Sequence, residues 1–180
     1  MIEVSRKRHT AALAAAKAIG ATYYIAHTNY NPLIRNPSYQ NSWRSRSLDF
    51  WLPFADEAGK HNIIISLENL WEPDPDIQAE LVAAGNHPNL RATFDNGHAL
   101  VFSNIPASQW VATLGTLLVH SHLHDNSGEF DEHKSIGDGK ENWEELLSAI
   151  KKYSPQAILV AESDSLASNM LSIGRLKAFV

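Results

Sequence analysis

Nine histidines occur in these 180 residues, and four of them fall between positions 120 and 133. No cysteine accompanies them, so disulfides and thiolate sites are excluded and any bound metal must use nitrogen and oxygen ligands. Imidazoles and carboxylates also stand at the ends of short apolar or β-rich runs: His27, Glu68, Asp95, His122 and Glu162. Successive members of this set are 41, 27, 27 and 40 residues apart, each gap compatible with one βα repeat. In a parallel sheet the carboxyl ends of the strands emerge on one face, so five ligand-type side chains would converge there.

The elements that must position them alternate along the chain. Residues 10–19 are Ala-rich and helical, with Gly20 placed to end the helix. A strand is expected over 23–27, followed by a long polar loop over 28–45. A helix over 46–60 contains Pro53, which should bend it or shift its start. The run Ile63-Ile64-Ile65-Ser66-Leu67-Glu68 is the clearest strand, and further strands are expected over 90–95, 117–124 and 157–162. Helices are expected over 76–84, 106–114, 142–153 and 165–179. In 142–153, Trp143, Leu146, Leu147 and Ile150 follow the spacing of one helical face.

Alternating strands and helices imply βαβ units and a parallel sheet with outer helices. The two-residue strand period puts Ile64, Ser66 and Glu68 on one face, and likewise Ile158, Val160 and Glu162. It also groups His120, His122 and His124, leaving Val119, Ser121 and Leu123 to face the other way, with Val119 and Leu123 toward the helices.

Composition narrows the function classes. Apolar residues make up 44% and charged residues 19%, which is ordinary globular composition for a single domain over 1–180. No apolar run of ~18 residues and no signal-type leader is evident, so a cytoplasmic protein with no membrane partner is expected. The net charge of -5, without a dense Lys/Arg run, speaks against nucleic acid as the partner.

Several segments taken together resemble the xylose isomerase-like TIM-barrel superfamily, which includes sugar phosphate isomerases/epimerases and the endonuclease IV type of abasic-site nuclease. They are Ile65-Ser66-Leu67-Glu68-Asn69, Phe94-Asp95-Asn96-Gly97-His98 and His122-Leu123-His124-Asp125-Asn126, then Asp131-Glu132-His133, Ile136-Gly137-Asp138-Gly139 and Ala161-Glu162. The resemblance implies an α/β TIM (β/α) barrel-type fold, of which this sequence supplies about five of eight βα units and a leading helix. Such a partial barrel leaves two sheet edges and an unclosed interior, so self-association as a homo-oligomer is expected.

The resemblance further implies that Glu68, Asp95, His122 and Glu162 hold a divalent metal: Mn, Mg, Co or Zn. Carboxylates this close repel one another unless a cation lies between them. Glu68 and Glu162 would then move a proton at a carbon of a small sugar or sugar phosphate. His27 and His98 would contact substrate, and His98, Asp131 and His133 are possible additional metal ligands. His120 and His124 would orient their neighbours. Trp71 could stack on a sugar face or pack in the interior; His9, His61 and His87 read as surface residues. Two alternatives accompany the isomerase/epimerase reading: an endonuclease IV-like multi-zinc nuclease, and a catalytically inactive remnant.

Overall fold

The computed structural model describes residues 2–179. Five parallel strands, β1 (Tyr23–His27), β2 (Ile64–Glu68), β3 (Leu90–Asp95), β4 (Leu118–Leu123) and β5 (Ile158–Ala161), pair in chain order. The right-handed twist of parallel strands curls this sheet into a half-barrel, with helices on its outer side. Among the described residues β1 and β5 each pair on one side only. No helix among these residues is long and apolar enough to cross a membrane.

Strand alternation divides the sheet chemically. Ile65, Leu67, Leu90, Ala92, Phe94 and Leu123 face the helices and are fully buried. On β1 to β3 they meet Trp51, Phe54, Ala55 and Leu81 from α2 (Tyr39–Gly59) and α3 (Pro75–Gly85). On β3 to β5 the counterparts are Trp110 and Leu114 of α5 (Ala107–Leu114), and Leu146 and Ile150 of α6 (Trp143–Tyr153). The inner face is polar instead: Thr93 Oγ1 donates to Ser66 Oγ at 2.6 Å, both residues fully buried.

Helix ends follow local chemistry. Asp74 caps α3 by accepting from Asp76 N at 2.8 Å, Pro75 opens the helix, and Asn86 closes it with φ 43°. Asn142 caps α6, with Glu144 and Glu145 in its first turn and Lys151 and Lys152 in its last, complementing the helix dipole.

Several expectations need correction. The leading helix α1 (Ile2–Ala18) begins earlier than residue 10, and α2 begins at Tyr39, so the polar loop shortens to 28–38. Pro53 neither starts nor interrupts α2. It removes the hydrogen bond to Asp49 O four residues back, and Arg6 Nη2 of α1 supplies a substitute donor at 3.3 Å. A short helix unanticipated from pattern alone, α4 (Asn96–Phe102), follows β3, while α7 (Leu166–Phe179) closes the order as expected. On β4 the pairing slips, with Ala92 opposite Leu118 and Thr93 opposite His120. Val119 is therefore an extra residue, and Leu118 rather than Val119 joins the helix-side core.

Candidate metal centre

The strand register brings the inner-face ends together. His27 pairs with Glu68 across β1 and β2, and Asp95 with His122 across β3 and β4. Glu162 follows β5, its N–H donating to Leu123 O at 3.0 Å. Ligand atoms of Glu68, Asp95, His122 and Glu162 all lie within 4.8 Å of one another. His122 Nδ1 is 2.9 Å from Glu68 Oε1 and 3.2 Å from Glu162 Oε2.

Two further groups flank this cluster. His27, Glu68 and His98 form one, with Glu68 shared. His27 Nε2 lies 3.7 Å and His98 Nδ1 3.8 Å from the Glu68 carboxylate. On the other side Asp131 Oδ2 lies 3.3 Å from His98 Nε2 and 3.2 Å from His133 Nε2. Asp131 and His133 reach the cluster because Asp125 and Lys134 form a two-hydrogen-bond bridge that folds their loop back. His133 has φ 50°, an uncommon conformation for a residue with a side chain. Its Nδ1–H donates to Glu162 O at 2.7 Å, which aims Nε2 at Asp131.

His124, His133 and Glu162 also fall within ligand distance of one another. The rings of His124 and His133 stack at 3.9 Å and 9°, however. A metal ion lies in the plane of an imidazole that binds it, so an ion in the plane of one ring lies well outside the other. His124 is therefore not a ligand alongside His133. It faces Asp95 instead, with Nε2 3.2 Å from Oδ1 and 3.3 Å from Oδ2.

The charge balance of the cluster fits a cation. Burial of Asp95 raises its pKa, but the hydrogen bond from His124 and the charges of His98 and His124 outweigh this and hold it well below the ordinary range. Burial lowers the pKa of His98, yet Asp131 and Asp95 together push it up to about 9. His122 likewise rises against its own burial, through the hydrogen bond and charge of Glu68 and the charges of Glu162 and Asp95. The carboxylates thus recruit protons onto the imidazoles as counter-charge, a place that a divalent cation would take with nitrogen and oxygen donors already assembled.

Sequence reading missed the residues that hold this arrangement. Asn69 follows Glu68, and its side chain both donates to Asp95 O and accepts from Asp95 N. Asn96 follows Asp95 and makes the same two bonds with His124 O and N. Each asparagine thus extends the strand ladder one step beyond the last backbone pair. The signal was present, since an acidic residue followed by Asn occurs at both strand ends. Asn69 O also accepts from His98 Nδ1 at 2.8 Å, which turns His98 Nε2 toward Asp131. Asp125 is fully buried and accepts from Trp143 Nε1 and from the backbone N–H groups of Gly137, Glu141 and Asn126, fixing the loop that carries Asp131.

Trp71 lies in the segment after β2 and is 43% exposed, which disfavours interior packing. His120 is buried on the inner face beside Tyr23 and His122, its pKa pushed down to about 4 by burial and then by His122. His61 and His87 pair with the exposed acids Glu57 and Asp56, as expected of surface residues. His9 does not: it packs against Tyr24, Phe50, Trp51 and Phe54 between α1, β1 and α2.

A parallel half-barrel with carboxylates and imidazoles at the C-terminal rim defines a class, the (β/α)-barrel proteins with a polar strand-end site. The pattern of the xylose isomerase-like TIM barrel family matches residues 2–172, and the chain belongs to that family. An uncharacterized protein of Methanocaldococcus jannaschii is 27% identical over 179 residues, covering 94% of this chain and 60% of the relative. The structure of a D-tagatose 3-epimerase-like protein is 26% identical with a TM-score of 0.78, over 93% of this chain and 65% of that one. A D-allulose 3-epimerase from Methylomonas sp., in complex with D-allulose, shares the fold at 17% identity and a TM-score of 0.77, over 99% of this chain and 68% of that one. A protein from Thermus thermophilus soaked with ZnCl2 is 24% identical, with a TM-score of 0.77 over 93% of this chain and 65% of that one. The chain thus spans 60% of the length of the archaeal relative and 65% of the D-tagatose 3-epimerase-like protein.

Proposed function

We propose that this chain is a metal-dependent isomerase or epimerase acting on a small sugar or sugar phosphate by carboxylate-mediated proton transfer. One observation carries the reading: Glu68 and Glu162 approach His122 Nδ1 from two different strand ends, at 2.9 and 3.2 Å. Glu68, Asp95, His122 and Glu162 would hold the ion, whether Mn, Mg, Co or Zn. When bound, it would polarise a sugar carbonyl and the neighbouring hydroxyl. Glu162, whose side chain is 43% exposed, would remove the proton from the adjacent carbon as a carboxylate. The buried Glu68, starting that turnover protonated, would give its proton from the other side, both then regaining their starting states by exchange with solvent. His27 and His98 would hold sugar hydroxyls, and Trp71 would cover an apolar sugar face. Sugar epimerases among the similar solved structures support this choice of substrate class. Self-association through the singly paired edges β1 and β5 belongs to the same proposal; a stable monomer in light scattering counts against it.

The test is proton exchange. The protein, loaded with each of the four metals in turn, is incubated with a panel of ketoses and their phosphates in D2O. NMR should show deuterium entering at one carbon and a second sugar forming. A metal-loaded protein that exchanges no proton on any of them refutes the activity.

The Asp131 contacts with His98 and His133 favour a second reading, the multi-zinc nuclease, because they add a further nitrogen-oxygen group beside the central cluster. Three zinc ions per chain and cleavage of an abasic-site duplex would support it; one ion per chain favours the isomerase. The net charge of -5 weighs against a phosphodiester backbone as substrate.

A further inference from the structure

His124 is fully buried, although nothing in the proposed proton transfer uses it. Three independent contacts define its place. Its Nε2 meets both oxygens of Asp95, and because an ionised carboxylate only accepts, Nε2 must carry the proton and donate. One ring face lies flat against His133 at 3.9 Å. The edge fits a slot that a glycine leaves open, since a Cβ on Gly97 would come within 2.0 Å of His124 Cε1. Its Nδ1 has no hydrogen-bond partner among the described residues.

We propose that His124 is a positioning residue that ties the central cluster to the Asp131/His133 group, aiming Asp95 through its N–H and His133 through the stack. This rests on the metal-binding reading above. Apart from His124, the Asp95 carboxylate has one hydrogen bond, from His98 N to Oδ1 at 2.8 Å, and rotation about it is opposed only by the His98 ring, whose Nδ1 lies 3.7 Å from Oδ2. The His124 N–H reaches both oxygens and restrains that rotation. The flat ring limits how far the His133 plane can turn, which complements the Glu162 carbonyl that holds its Nδ1.

The test uses the full chain freed of metal by a chelator and titrated with Co²⁺, followed by visible absorption and by calorimetry. His124→Phe keeps a flat ring in the slot but cannot donate to Asp95. Its cobalt affinity should fall about 10- to 100-fold, in the range for residues that orient ligands. The metal-free variant should melt lower than the parent, because the buried Asp95 carboxylate loses a charge-assisted donor, so affinities are compared well below the melting range of each. His124→Gln, which restores an N–H donor, should recover part of the lost affinity. His124→Ala carries the same expectation as Phe and decides the matter if the Phe variant does not fold. Equal cobalt affinity in parent and folded variant overturns the positioning role and leaves the metal site standing. A parent protein that takes up no cobalt overturns both.

Discussion

The side chain of Asn69 pairs with both backbone groups of Asp95, its Nδ2 donating to the carbonyl at 2.9 Å and its Oδ1 accepting from the N–H at 2.8 Å. Asn69 is 1% exposed and Asp95 fully buried, so neither backbone group has water as an alternative partner. Asn69→Leu leaves a donor and an acceptor unsatisfied and should cost about 2–4 kcal/mol. Urea denaturation measures this; a loss below about 0.5 kcal/mol, within the range of ordinary surface substitutions, would show that the clamp contributes nothing.

Glu162→Gln keeps the shape of the residue but removes its capacity to take a proton. Turnover of a sugar substrate should fall about 10²- to 10⁴-fold, with a much smaller change in KM. Steady-state kinetics separate the two, and unchanged turnover would remove Glu162 from the chemistry.

The metal-free protein should lose stability on the alkaline side of neutrality. His98 is held at about 9 against 6.5 for the ordinary group, because Asp131 and Asp95 outweigh its burial. A group raised on folding contributes stability that is complete below pH 6.5 and disappears as pH rises through 9. His122 and His124, also raised, act in the same direction. Melting temperatures of chelator-treated protein should therefore decline between pH 6.5 and 9, and His98→Gln should flatten the decline. An identical slope in parent and variant would contradict the assignment.

Adding metal should reverse that trend. The ion competes with the protons on His98 and His122, so binding releases protons and tightens as pH rises. At about 100 times its dissociation constant, a single bound ion adds about 2.7 kcal/mol of stability. Calorimetry in two buffers of different ionisation enthalpy detects the released protons; identical heats in both would argue against competition at the imidazoles.

Gly97→Ala separates helix propensity from packing by its sign. In an unconstrained helix the change would stabilise by about 1 kcal/mol. Here the new Cβ would stand 2.0 Å from His124 Cε1, so a net destabilisation of about 1–3 kcal/mol is expected. Chemical denaturation reads the sign, and a more stable variant would show that the His124 ring is free to move.

Much of the fold was legible because strand and helix periods leave separate marks on a sequence. The run 63–68 holds β2 at Ile64–Glu68, and Trp143, Leu146, Leu147 and Ile150 form the buried face of α6 where their spacing puts it. The place of Pro53 was not legible: it lies inside α2 rather than at its start, and the Asp49 carbonyl four residues back accepts from Arg6, 47 residues before Pro53 in the chain. His9 was misread for a similar reason: most of its neighbours in sequence are exposed, while Tyr24, Phe50, Trp51 and Phe54 arrive from other elements.

By itself the sequence determined which side chains stand at strand ends, since a two-residue period and an apolar face are local properties of each segment. Glu68, Asp95, His122 and Glu162 could be named on that basis together with the order of the motifs. Only the tertiary structure decided how those side chains are held. The two asparagine clamps join residues 26 and 28 positions apart, and the buried Asp125 anchor and the flat contact of His124 with His133 tie a loop back onto a strand end. Such contacts depend on strand register and loop path, which are settled by packing the whole sheet against its helices and leave no periodic trace in the chain.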